Sequence, residues 1–125
     1  MTHGSSLIVG CGMKMYPTLS EAREWMSYVV ANAPQRPGLS LFVLPPFVAL
    51  LDAKAILSGT PVLYGAQNMH WEDRGAFTGE ISPLMIKECG ASLVEIGHSE
   101  RRALFGETDE TVGKKVEAAV RHGLQ

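Results

Sequence analysis

The polarity pattern along the chain alternates between short apolar runs and stretches with helical periodicity. Leu7-Ile8-Val9 is an apolar run closed by Gly10-Cys11-Gly12, which predicts a buried strand followed by a tight turn. Thr18-Leu19-Ser20-Glu21 has the capping-box pattern, a hydroxyl and a carboxylate three residues apart that satisfy orphan amides where a helix begins. Leu19, Ala22, Met26, Val29 and Val30 then recur at three- and four-residue steps and predict a helix that ends before Pro34. The second run, Leu39 to Leu44, stops at Pro45-Pro46, which have no backbone donors to extend a ladder. Phe47 to Leu57 predicts a second helix, Val62 to Ala66 a third strand, and Gln67 to Thr78 a long polar and aromatic loop. Pro83 to Cys89 predicts a helix with proline in its first turn and Gly90 just past its end. Leu93 to Ile96 predicts a fourth strand running into Gly97. After a short helical segment, Val112, Val116, Ala119 and Val120 predict the apolar face of a last helix ending at Gly123.

Strands that are short, apolar and non-alternating, each followed by a helix, belong to a parallel sheet covered on both faces. The strands start near residues 7, 39, 62 and 93. A (β/α)8 barrel uses ~250 residues for eight units, or about 31 per unit. The expected fold is therefore α/β, about four βα units with parallel strands, with a rhythm like that of such a barrel and a fifth strand due near residue 125; an unrelated flavodoxin-like sheet of four or five strands is the alternative. Four such strands alone leave open edges, so another copy or the second half of the barrel is expected to cover them.

Composition agrees with a single domain: 125 residues, 46% hydrophobic and 19% charged, are enough for a buried core and exclude a disordered chain. The formal charge of -2 gives no basic footprint, so neither nucleic acid nor a membrane surface is expected as a partner. No window approaches the ~18 apolar residues of a membrane span, and Met1 to Ser6 lacks a basic leader. The cytoplasm is the expected compartment. Cys11 and Cys89 lie far apart without ligand spacing and are expected as two reduced thiols.

Ligands of parallel α/β proteins gather beyond the carboxyl ends of the strands. After strand one comes Gly12-Met13-Lys14, where Lys14 is either a solvated surface lysine or a point charge for a phosphate or a carbonyl oxygen. After strand four comes Gly97-His98-Ser99-Glu100-Arg101-Arg102. His98 opens a helix, whose positive end disfavours an imidazolium, so it is either a structural histidine or a neutral donor to a substrate oxygen. Glu100 either stabilises the first helical turn or orients the lysine across the sheet. Arg101 and Arg102 are expected as salt-bridge partners, and Trp25 and Trp71 as packing residues. The glycines form neither GxGxxG nor a P-loop. His3, His70 and His122 have no partner at metal-ligand spacing, so no metal and no cofactor is expected.

Gly65-Ala66-Gln67-Asn68, Gly75 to Pro83, and Gly97 to Arg102 with Phe105-Gly106-Glu107 together resemble the triosephosphate isomerase family, in order and at its spacing. The resemblance implies that residues 1–125 form the N-terminal half of a TIM (β/α)8 barrel, and an aldose-ketose isomerase that interconverts glyceraldehyde 3-phosphate and dihydroxyacetone phosphate through an enediolate. Gln67 to Trp71 and Val116 to Leu124 look closer to the branch that isomerises erythrulose phosphates, a tetrulose-phosphate alternative. A non-catalytic paralogue that binds phosphosugar or dimerises is a third reading. By position, the resemblance makes Lys14 a substrate-binding and catalytic residue, His98 the electrophile and proton shuttle, Glu100 a further catalytic residue that supports the site, and Gly12 and Ser99 substrate-binding positions. A neutral histidine beside a carboxylate base is an established property of that family. Gly12 stands where the family usually has a substrate-contacting Asn, and Met13 where it has Trp; a glycine offers no amide. The loop with Gln67, Phe77 and Thr78 is implied to form the interface of a homodimer. The family's catalytic glutamate, lid and phosphate loops belong to the second half of the barrel, and Glu80, Glu95 and Glu107 do not occupy the base position.

Overall fold

Four parallel strands in the order β1-β2-β3-β4 form the sheet of the computed structural model, which describes residues 7–125. The absence of a leader in Met1 to Ser6, and the reading of His3, lie outside the described residues. The strands are β1 (Leu7–Gly12), β2 (Leu39–Leu44), β3 (Val62–Ala66) and β4 (Leu93–Val94). Between and after them come α1 (Leu19–Asn32), a 3-10 turn (Phe47–Ala49) leading into α2 (Leu50–Leu57), α3 (Pro83–Glu88), α4 (Ser99–Phe105) and α5 (Asp109–Arg121).

Local chemistry sets the helix starts. Thr18 caps α1 through the reciprocal Thr18–Glu21 box, Ser82 caps α3 at the Met85 amide, and Thr108 caps α5 at the Thr111 amide. The helices pack on the convex face of the sheet. There Met26, Ala53, Leu57, Val43, Val62 and Ile86 are buried in one cluster, and each large apolar side chain contributes about 1.5–3 kcal/mol through burial.

The sheet curls. β1 and β4 stand at opposite ends of the strand order, yet a Cβ placed on Gly12 would lie only 3.9 Å from Glu95 Oε2. The chain is thus a half-barrel with a concave interior. Its next rung is already present: Gln125 N donates to Ser92 O at 3.0 Å and Val94 N donates to Gln125 O at 2.9 Å, beside β4 where a fifth strand belongs. The 31-residue rhythm predicts that position.

Three expectations need correction. Gly10-Cys11-Gly12 is not a turn; β1 continues through it and pairs with Phe42, Val43 and Leu44, and Leu7, Ile8 and Val9, expected to be buried, are about half exposed at the open edge of the sheet. The glycines serve the concave face instead, because a Cβ on Gly10 would fall 2.1 Å from the Phe42 ring, and one on Gly65 would fall 2.3 Å from Leu93 O. Small residues opposite large ones fill the narrowing interior.

The second correction concerns α5, whose buried face is Lys115, Ala118 and Ala119, while Val116 and Val120 are 45% and 72% exposed. The helix is rotated because Lys115 is drawn inward by polar partners described below. The fourth strand is also shorter than expected, although Glu95 N still donates to Ala66 O at 2.9 Å.

Candidate active site

The carboxyl ends of β1 and β4 bring Lys14 and His98 together. Met13 is buried and its N–H donates to Leu44 O, so the chain leaves β1 still anchored to β2. Lys14 follows with φ of 58°, the one non-glycine residue in the left-handed region among the described residues. Such a backbone costs of the order of 1 kcal/mol and persists only where the surroundings hold it. Gln67 does so: its Nε2 donates to Lys14 O at 3.1 Å and to Leu44 O at 2.9 Å. The residue expected at a dimer interface therefore supports the lysine of its own chain.

On the other side, Gly97 has φ of 73° and a Cβ there would lie 3.0 Å from Val112, so the turn out of β4 demands glycine. Arg102 Nε donates to Gly97 O and its guanidinium pairs with Asp109 at 2.7 Å, fixing that turn against the start of α5. His98 is the N-cap of α4, with Nδ1 accepting the Glu100 N–H at 3.0 Å. A backbone N–H can only donate, so Nδ1 carries no proton and a neutral ring must carry it on Nε2. Nε2 lies 2.9 Å from Lys14 Nζ. Two donors, an ammonium and an imidazole N–H, therefore stand side by side, an arrangement that an acceptor oxygen touching both would satisfy.

Glu100 Oε1 accepts from Lys14 Nζ at 2.7 Å. That hydrogen bond and charge hold the Glu100 carboxyl below its ordinary value of 4.5. The depressed folded value means that the tie is fully present above pH 4.5 and is lost as pH falls from there through the folded midpoint. A carboxyl-carbon NMR titration is expected to show Glu100 titrating below the ordinary range in the native protein and moving up in Lys14→Met. Equal midpoints in the two proteins would refute the assignment. Ser99 lies on the exposed first turn of α4, near the site but without a side-chain hydrogen bond among the described residues.

Behind these residues lies a buried ionic cluster that sequence patterning does not reveal. Lys115 Nζ donates to Asn68 Oδ1 at 2.9 Å and pairs with Glu107, and Arg101 Nε stands 3.8 Å from the other Glu107 oxygen. Glu107 and Lys115 are 3% and 7% exposed. The cluster ties the loop after β3 to α4 and α5, and so fixes the platform carrying His98. Glu107 is therefore committed to structure. The available signal was a lysine three and four residues before the apolar pair Ala118 and Ala119, a helical spacing that places it on their face.

Phe77 and Thr78 are not brought to Lys14. Phe77 lies 4.5 Å from the His70 ring and is 44% exposed, and Thr78 is exposed beside it. His70 is buried with neither ring nitrogen hydrogen-bonded, stacked on Trp71 at 4.3 Å. Cys11 and Cys89 are unpaired, and no helix among the described residues is long and apolar enough to cross a membrane.

The profile of one family, described as triosephosphate isomerase, matches residues 7–125. The chain belongs to the triosephosphate isomerase family. Within that family it is 60% identical over 117 residues, 93% of its length, to a Brucella abortus (strain 2308) protein named L-erythrulose-1-phosphate isomerase. Proteins of the same name from Rhizobium rhizogenes (54% identical over 125 residues, 99% of this chain) and Rhizobium meliloti (52% over 121 residues, 96%) are also similar. The matches cover 46%, 48% and 48% of those three proteins, so the chain spans about half the length of these family members. The half-barrel architecture comprises four βα units, with Gln125 hydrogen-bonded alongside β4.

Proposed function

We propose that the full-length protein isomerises a four-carbon ketose phosphate of the erythrulose phosphate class through an enediolate. The observation that carries this reading is the convergence of Lys14 Nζ and His98 Nε2, 2.9 Å apart, with Nδ1 already occupied by the Glu100 amide. A base removes the proton beside the carbonyl, and negative charge builds on two neighbouring oxygens. His98 donates from Nε2 to one of them and returns a proton, while Lys14 balances the charge. The resemblance places the base, a glutamate, in the second half of the barrel. The names of the relatives, at 52–60% identity, favour the erythrulose branch over the triose phosphates, which sequence analysis put first. Ser99 and Gly12 border the reacting region in this reading. The exposed loop with Phe77 and Thr78 serves the homodimer, and the compartment is the cytoplasm.

The test is to incubate the full-length protein with L-erythrulose 1-phosphate in D2O and follow the sugar by proton NMR. Isomer formation with deuterium entering at the carbon next to the carbonyl is expected, with dihydroxyacetone phosphate turned over less efficiently. Binding without exchange would refute the isomerase and favour a phosphosugar-binding paralogue.

A further inference from the structure

The concave face of the half-barrel is built in layers. In the lower one the Phe42 ring fills the place of a side chain on Gly10, and Leu93 fills that of Gly65. In the layer above, at the mouth, Gly12 faces Glu95. Glu95 lines the cavity of about 490 Å³ that also holds Lys14, Gln67 and His98. On its other side it borders an apolar cavity lined by Phe42, Leu44 and Leu93. Glu95 is partly buried, and its carboxylate has no hydrogen bond or ion pair among the described residues. The other two carboxylates of this region are engaged: Glu100 holds Lys14, and Glu107 holds Lys115. Gly12, unlike Gly10 and Gly65, is required neither by packing nor by its backbone. It is not in the left-handed region, and a Cβ would make only an ordinary contact 3.9 Å from Glu95. What the missing side chain does is leave space in front of the carboxylate.

We propose that Gly12 and Glu95 form a specificity subsite that accepts the additional hydroxylated carbon of a four-carbon sugar phosphate. An ionised carboxylate has only acceptor sites, so it takes hydrogen bonds from hydroxyls and repels a phosphate. That orients the non-phosphorylated end of the ligand toward β1 and β4. The space at Gly12 holds the extra carbon, which a three-carbon phosphate lacks. Glu95 discriminates between ligands here and takes no proton in the reaction. The assignment rests on the erythrulose phosphate reading above, but its test does not require turnover.

Calorimetric titration of the full-length protein with erythritol 4-phosphate and glycerol 3-phosphate, neither of which can isomerise, measures the preference directly. Tighter binding of the four-carbon probe is expected. Glu95→Leu is expected to reduce the ratio of the two affinities about 10- to 100-fold, the range of a hydrogen bond to a charged group. Gly12→Asn, which fills the space while keeping the carboxylate, is expected to reduce the ratio in the same direction. It also decides the matter if Glu95→Leu does not fold. No preference in the native protein, equal weakening of both probes, or an unchanged ratio in a folded variant would overturn the proposal. A Glu95-dependent preference in a protein that isomerises nothing would leave the subsite standing and remove the isomerase reading; turnover without that preference would do the reverse.

Discussion

His98→Asn in the full-length protein is expected to lower kcat for the ketose phosphate by about 10²- to 10⁴-fold, the range for loss of a positioned proton donor. Asparagine is chosen because His98 also caps α4 through Nδ1, and an Asn side chain provides an acceptor at the same N-cap position. Stability should therefore change little while the Nε2 donor is lost. Lys14→Met tests the partner. It removes the ammonium 2.9 Å from Nε2 and is expected to raise KM and lower kcat, since one charge serves both phosphosugar binding and the enediolate. Steady-state kinetics with the melting temperature recorded for each variant check both. If H98N retains native kcat, the histidine is a helix cap and the proposed chemistry is wrong.

Lys115→Met is expected to destabilise the protein by about 3–5 kcal/mol, because it leaves the Glu107 carboxylate buried without its closest cation. Arg101, 3.8 Å from Glu107, still gives partial compensation and places the loss toward the lower end. Replacing both members, Lys115→Met with Glu107→Leu, is expected to recover much of that loss, since a buried apolar pair avoids the desolvation of two ions. Urea unfolding of the single and double variants measures the difference. A single-variant loss under ~1 kcal/mol, or a double variant no more stable than the single, would show that the cluster is not the strut assigned to it. Its position links the two outcomes. The cluster joins Asn68, next to Gln67 and hence to the Lys14 support, with the α4–α5 platform that carries His98.

The strands were legible because parallel βα units write them as apolar runs bounded by Gly and Pro; Leu39–Leu44 and Val62–Ala66 appear with the expected bounds. The start of α1 was legible for a local reason as well, since Thr18 and Glu21 satisfy backbone donors three residues away. Gly10 and Gly12 misled because a glycine in sequence signals a turn, whereas here the Phe42 ring on the neighbouring strand requires glycine at position 10, and Gly12 leaves open space before Glu95. Val116 and Val120 misled because helical periodicity alone cannot weigh an apolar face against a buried lysine with a carboxylate waiting for it.

Of the site, Lys14, His98 and Glu100 were visible as residue types placed after strands. Their 84- and 86-residue separations in the chain become contacts of 2.9 and 2.7 Å only when the sheet has curled. The strained Lys14 backbone and its support by Gln67 had no signal in the residue order. Sequence alone determined what depends on near neighbours along the chain: helix caps, strand runs, the spacing of the βα units, and the family. Tertiary structure decided what depends on distant elements meeting: which glycines are steric necessities, which face α5 buries, which nitrogen of His98 carries the proton, and that Gly12 faces Glu95, whose carboxylate has no partner among the described residues. The first set follows from local hydrogen bonding and hydrophobic period, while the second follows from curvature, which brings the two ends of the sheet to one mouth.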